Sequence, residues 1–172
     1  MLTRINQKNG DQLSILGFGC MRFPTKGGGI DEERSIKMIR NAIENGVNYF
    51  DTAYFYHNGK SESLLGEALL GGYREQVKIA TKLPPFMVSK LEGAKKIFAN
   101  QLEKLKIDYI DYYLLHMLTD KASFERMVDI GVMEWMEQLR KEGTIRNLGF
   151  SFHGSKSDFE QIVQAYPWDF CQ

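Results

Sequence analysis

Apolar residues in this chain fall into two alternating arrangements. Short unbroken runs, "VNYFDTA", "QVKIATKLP", "YIDYYLLHM" and "IRNLGFSFH", read as buried strands. Between them apolar residues recur at steps of three and four, the period of an amphipathic helix. Ile36, Ile39, Ala42 and Ile43 make one such stripe; Leu91, Ala94, Phe98, Leu102 and Leu105 make a longer one over 89–106. Asp31 stands where the first helix needs an N-cap, Glu32 and Glu33 suit its positive first turn, and Gly46 closes it. A short helix begins near Ser61 or Ser63. Another carries Val132, Trp135, Met136 and Leu139 and ends at Gly143. A fifth spans "KSDFEQIVQAY" and stops before Pro167. The stretch 118–131 reads as looser, and "TKGGG" as a loop. Upstream, "TRINQKNGDQLSI" reads as a hairpin with a two-residue turn at Asn9-Gly10, and "ILGFGCMRF" as a buried strand. "DFCQ" opens a sixth strand.

Strand and helix thus alternate, which implies a parallel sheet covered by helices. A doubly wound sheet and an eight-stranded barrel both satisfy that order. A doubly wound nucleotide site needs a helix opening at its glycines, and "GFGCMRFP" does not continue that way. Polar residues also stand at strand C-terminal ends all along the chain, as barrels place them. The expected fold is therefore α/β, a (β/α)8 TIM-barrel type, incomplete: an N-terminal β-hairpin, about five βα units and the start of strand six. A closed barrel takes about 250 residues, so residues 1–172 are read as the N-terminal part of a single barrel domain. An open half-barrel presents an apolar edge, and self-association covering that edge is an expectation.

Composition narrows the function without choosing it. Charged residues are 26% of the chain and the formal net charge is +0, which gives no basic surface for nucleic acid. The longest apolar runs are strand-sized, so no membrane span is expected, and "MLTRINQKNG" lacks the core of a signal peptide. Cys20 and Cys171 lie far apart and outside any C-x-x-C. They are expected to be two buried small hydrophobes in a reducing compartment, the cytoplasm, with no metal site.

The strand ends carry the chemistry. The second strand ends at Asp51 with Tyr56 just beyond; the third ends at Lys82, the fourth at His116, the fifth at Ser151. In a parallel barrel these ends share one mouth. A phenol with a pKa near 10 is a weak acid at neutral pH, and a neighbouring ammonium would lower that value. A lysine sunk in the mouth needs a partner, for which Asp51 is the candidate. Neutral His116 could orient a substrate oxygen. Such a set suits protonation of an oxygen on which negative charge is growing, as carbonyl reduction requires.

"GVNYFDTAYFYHNGKSESLLGEAL" is similar to the signature segment of the aldo-keto reductase family. "KIATKLP", "LEKLKIDYIDYYLLHM" and "RKEGTIRNLGFS" resemble its later blocks in the same order. The resemblance implies an eight-stranded barrel, NADPH or NADH bound without a Rossmann domain, and reduction of a small aldehyde or ketone. It assigns Tyr56 as general acid, Lys82 as the lysine that lowers its pKa, Asp51 as the carboxylate holding that lysine, and His116 as the carbonyl-orienting histidine. Ser151 and Gln172 match the pair that binds the nicotinamide carboxamide. Phe152 and His153 stand where many relatives carry asparagine after the serine. "GFSFH" resembles a bacterial branch, some of whose members carry an iron–sulfur segment; no such cluster is expected here. The alternative reading is a non-catalytic barrel piece or a regulatory or assembly module. On either reading the 172-residue chain by itself is expected to be inactive.

Overall fold

The computed structural model describes residues 1–172. The N-terminal hairpin pairs β1 (Thr3–Ile5) with β2 (Gln12–Ser14) antiparallel. Its connection is not the expected two-residue turn but a loop over residues 6–11, closed by Asn6 N–H on the Asp11 carbonyl and Gly10 N–H on the Asn6 carbonyl. The longer loop frees side chains to reach across the sheet. Asn9 Nδ2 donates to the Tyr112 hydroxyl at 3.0 Å and to Asn147 Oδ1 at 2.8 Å, and the Tyr112 hydroxyl donates to Asp11 Oδ2 at 2.6 Å. Lys78 pairs with Asp11 at 2.9 Å. The hairpin is thereby fastened across the N-terminal ends of three strands.

β3 is only Phe18–Gly19, shorter than the expected run through "ILGFGCMRF". "TKGGG" is not an open loop but a small hairpin, β4 (Thr25–Lys26) and β5 (Gly29–Ile30), whose tip residues Gly27 and Gly28 both take positive φ. Then come α1 (Glu32–Glu44), β6 (Tyr49–Asp51), α2 (Ser61–Ala68), β7 (Lys78–Leu83), α3 (Leu91–Leu105) and β8 (Ile110–Leu118). Asp31 caps α1 as expected, accepting from Arg34 N–H at 3.2 Å. The stretch read as loose contains a helix, α4 (Lys121–Asp129), capped by Asp120, which accepts Ser123 N–H at 2.7 Å. α5 (Val132–Glu142), β9 (Ile145–Phe152), α6 (Lys156–Ala165) and β10 (Phe170–Cys171) complete the chain.

Six strands form one parallel sheet in the order β10-β9-β8-β7-β6-β3, each beside its neighbour in sequence. The sheet curls into an incomplete (β/α)8 barrel. Residues paired across parallel strands share a face, so the registers separate inside from outside. Asp51, Ala80, Tyr112 and Asn147 form one inward row; Lys82, Leu114, Gly149 and Phe170 form the next. Thr81, Tyr113 and Leu148 point outward, as do Leu83, Leu115 and Phe150. The outward residues join the helices in the main core, a cluster of 19 buried side chains. Inside, Ala80, Tyr112 and Leu114 pack with Leu13, Tyr49 and Phe170. Gly149 makes room there, since a Cβ would lie 2.5 Å from the Phe170 ring. Cys20 is buried as expected, whereas Cys171 is exposed because β10 is an edge strand; both are free thiols. No helix is long and apolar enough to cross a membrane.

α2 and α3 approach so closely that a Cβ on Gly66 would meet the Lys104 carbonyl oxygen at 2.5 Å. Backbone cannot yield there as a flexible side chain would. Gly66→Ala is expected to lower unfolding free energy in urea by about 1–3 kcal/mol. Gly93→Ala, within α3 and with nothing near its added methyl, is expected to raise it by about 0.5–1 kcal/mol. Equal effects of the two substitutions would contradict the packing.

Candidate active site

β6 ends at Asp51, and the loop that follows turns back over the strand ends. His57, Asn58 and Gly59 take positive φ in succession, a costly path for the first two residues. The loop is tied down on several sides. His57 Nε2 accepts the Phe23 N–H at 2.9 Å and its ring stacks on Phe23. Ser61 donates its hydroxyl to the Cys20 carbonyl at 2.8 Å, so at the 2.9 Å contact between Thr52 and Ser61 the hydroxyl hydrogen comes from Thr52. These ties set where Tyr56 sits.

Lys82 is 1% exposed, facing inward near the end of β7. Its ammonium donates to Asp51 Oδ1 at 2.6 Å and to the Thr52 carbonyl at 2.7 Å, and lies 5.0 Å from the Tyr56 ring centroid. Burial pulls the lysine below the usual ammonium range, and Asp51 opposes that pull.

His116 comes from the end of β8, beside a bulge. The pairing Leu115 with Phe150 is followed by Leu118 with Phe152, so β8 carries one extra residue. Met117 takes φ 55° to accommodate it, and its N–H donates to Ser151 Oγ at 2.8 Å. The His116 ring lies edge-on to Tyr56, with centroids 5.8 Å apart, and stacks on Phe55 at 4.8 Å. Its Nδ1 is buried without a hydrogen-bond partner. Burial first, then the charge of Lys82, push the imidazole down to about 3, so it is neutral.

Asp51, Tyr56, Lys82 and His116 thus meet at one rim. Ser151 and Gln172 lie side by side on β9 and at the end of β10, joined through Phe152 N–H on the Gln172 carbonyl and Gln172 N–H on the Phe150 carbonyl. One electrostatic expectation is reversed. The Tyr56 hydroxyl is not lowered below its ordinary value but raised to about 12, by burial and then by the Asp51 charge. The Tyr56 hydroxyl makes no hydrogen bond within the protein.

Sequence reasoning passed over several contributors. The Thr52 carbonyl, a lysine acceptor, has no side-chain signal. Phe55, which stacks on His116, carries no polar atom to single it out. The Met117 bulge is silent in a run as apolar as "YYLLHML".

His116 yields a stability test. The unfolded imidazole titrates near 6.5 and the folded one at about 3, so the unfolded state binds more protons between those values. Stability present above pH 6.5 is therefore lost as pH falls toward 3, by up to about 1.4 kcal/mol per pH unit. In urea titrations across that range the wild type should lose stability faster than His116→Gln. Parallel curves would show that the fold does not hold the ring neutral.

Known proteins resemble this chain in sequence and in fold. A model described as the aldo/keto reductase family matches residues 15–172. YqkF, an uncharacterized oxidoreductase of Bacillus subtilis (strain 168), is 32% identical over 148 residues, covering 81% of this chain and 45% of that protein. The aldo-keto reductase YhdN of the same organism is 32% identical over 151 residues, covering 83% and 44%. This chain spans less than half the length of these relatives. Among solved structures, the holo form of an aldo-keto reductase from Bacillus halodurans superposes with a TM-score of 0.78 at 29% identity, covering 95% of this chain and 54% of that one. An aldo-keto reductase from Klebsiella pneumoniae in complex with NADPH gives 0.76 at 25% identity, with the same coverage. A family match over nearly the whole chain, on a sheet curled as theirs is, means that this chain belongs to the aldo/keto reductase family.

Proposed function

We propose that this chain is the N-terminal, catalytic side of a single barrel that reduces an aldehyde or ketone to an alcohol with NADPH or NADH, Tyr56 serving as general acid. The observation that carries the reading is the buried Lys82, held on Asp51 at 2.6 Å and 5.0 Å from the Tyr56 ring. An ammonium kept inside a barrel beside a phenol answers a need for charge stabilisation there. Turnover is assigned to the closed eight-stranded barrel, since these six strands do not close on themselves; the 172-residue chain by itself is proposed to be inactive.

Ser151 and Gln172 fit a carboxamide. Ser151 Oγ accepts from Met117 N–H and so keeps its own hydrogen to donate; Gln172 Oε1 accepts from the Tyr49 hydroxyl at 3.3 Å, leaving its amide hydrogens free. The nicotinamide cofactor would supply the hydride that adds to the carbonyl carbon. Tyr56 gives its hydroxyl proton to the carbonyl oxygen, which becomes the alcohol, and later regains a proton from solvent. With its pKa raised to about 12, the hydroxyl is protonated at all ordinary pH and remains a competent donor to a nascent alkoxide. Lys82 stabilises the phenolate as it forms, and Asp51 keeps Lys82 charged despite burial. His116, neutral, orients the oxygen without adding a competing charge.

The test uses the complete barrel, this chain with the strands that close it. Tyr56→Phe is expected to cut NADPH-dependent reduction of a simple aldehyde by about 10²- to 10⁴-fold while NADPH fluorescence titration stays unchanged. Asp51→Asn strands the buried ammonium and is expected to cost about 3 kcal/mol of stability as well as activity. The rate should stay level from about pH 6 to 9, because neither Tyr56 nor His116 titrates there. NADPH binding without reduction of any member of a carbonyl panel would favour a non-catalytic module instead.

A further inference from the structure

The chain carries a fully buried carboxylate for which the Tyr56 chemistry has no use. Glu62, at the start of α2, has 0% exposure and lies outside the barrel wall, between that wall and the helices. Burial raises its carboxyl, and Thr81, Gln101, Lys104 and Lys82 all pull it back.

Its two oxygens face different tasks. Oε1 accepts the Thr81 hydroxyl at 2.6 Å and Gln101 Nε2 at 2.7 Å. Gln101 Nε2 also reaches the Lys82 carbonyl at 3.1 Å, and Gln101 Oε1 accepts the Tyr113 hydroxyl at 2.8 Å. Thr81 points outward where Lys82 points inward, so this cluster grips from behind the peptide that carries Lys82. Oε2 has no hydrogen bond. Its neighbour is the Lys104 ammonium, 3.8 Å away. That same ammonium lies 4.4 Å over the Tyr54 ring, two residues before Tyr56, and beside Gly59 in the same loop. One carboxylate therefore touches the strand bearing Lys82 directly and, through Lys104, the loop bearing Tyr56.

We propose that Glu62, with Lys104, is a positioning residue that holds the Tyr56 loop and the Lys82 strand in fixed relation from outside the barrel. For its bearing on catalysis this rests on the carbonyl-reductase reading. The charge matters because neutral glutamine would keep an acceptor for Thr81 and Gln101 yet lose its hold on Lys104. Lys104, with a side chain 21% exposed, would then be free to turn to solvent and release Tyr54.

Two measurements decide. In amide hydrogen exchange on the 172-residue chain, Glu62→Gln and Lys104→Met are each expected to speed exchange over residues 54–60 by about tenfold, with α3 protection unchanged. The double variant should exchange no faster than the faster single, because both break one link. In the closed barrel, each should lower kcat about tenfold at unchanged carbonyl KM, and Lys104→Arg should restore most of it. Unchanged loop exchange in Lys104→Met, effects that multiply in the double variant, or an undiminished kcat would overturn the proposal. Lys104→Met decides alone if Glu62→Gln does not fold. Turnover retained by Tyr56→Phe would overturn the reductase reading while leaving the exchange result standing, so the two failures are distinguishable.

Discussion

A charged lysine inside a barrel is the constraint from which the site follows. Removing an ammonium from water costs several kcal/mol unless an opposite charge and further acceptors replace its solvation. Here the replacement is Asp51 Oδ1 and the Thr52 carbonyl, both from the strand end beside β7. Those acceptors are adjacent in sequence but sit at the point where β6 passes into the loop. The loop's path is therefore determined by the lysine as much as the lysine is by the loop. Just past Tyr56, three successive residues at positive φ, His57 to Gly59, carry the chain back into α2, and bonds to Phe23 and Cys20 hold that path in place.

The barrel wall separates two kinds of interior. Its inner face sets polar Asp51 and Lys82 in the same rows as Tyr112, Leu114 and Phe170, with His116 and Ser151 further along their strands toward the mouth. Its outer face is the larger apolar core under the helices, interrupted by Glu62, Thr81, Gln101 and Tyr113. Strand alternation puts Thr81 and Lys82 on opposite sides of the same peptide. A single backbone segment thus transmits between a satisfied polar cluster behind the wall and the charge in front of it.

Much of this architecture was legible in the chain. Strand ends such as "ATK" and "LLHM" announce polar residues after apolar runs, and the helices of 32–44 and 91–105 have long, clean stripes. What escaped has physical causes. α4 buries only Phe124 and Met127, too few positions to set a period. The Asn9-Gly10 turn gave way to a longer loop in which the side chains of Asn9 and Asp11 bond each other and also reach Tyr112, Asn147 and Lys78. The bulge at Met117 and the reversed shift of Tyr56 depend on which groups lie across the barrel, and local spacing does not encode that.

The N-terminal hairpin has one more consequence. Its loop bonds to Tyr112 and Asn147, partners 101 to 138 positions away. A ribosome extends the chain from the other direction, so the first residues to emerge must wait for β8 and β9 before their contacts exist. The floor of the barrel is thereby among the last parts to be sealed, and Asn9 and Asp11 stay hydrated until most of this sheet has been made.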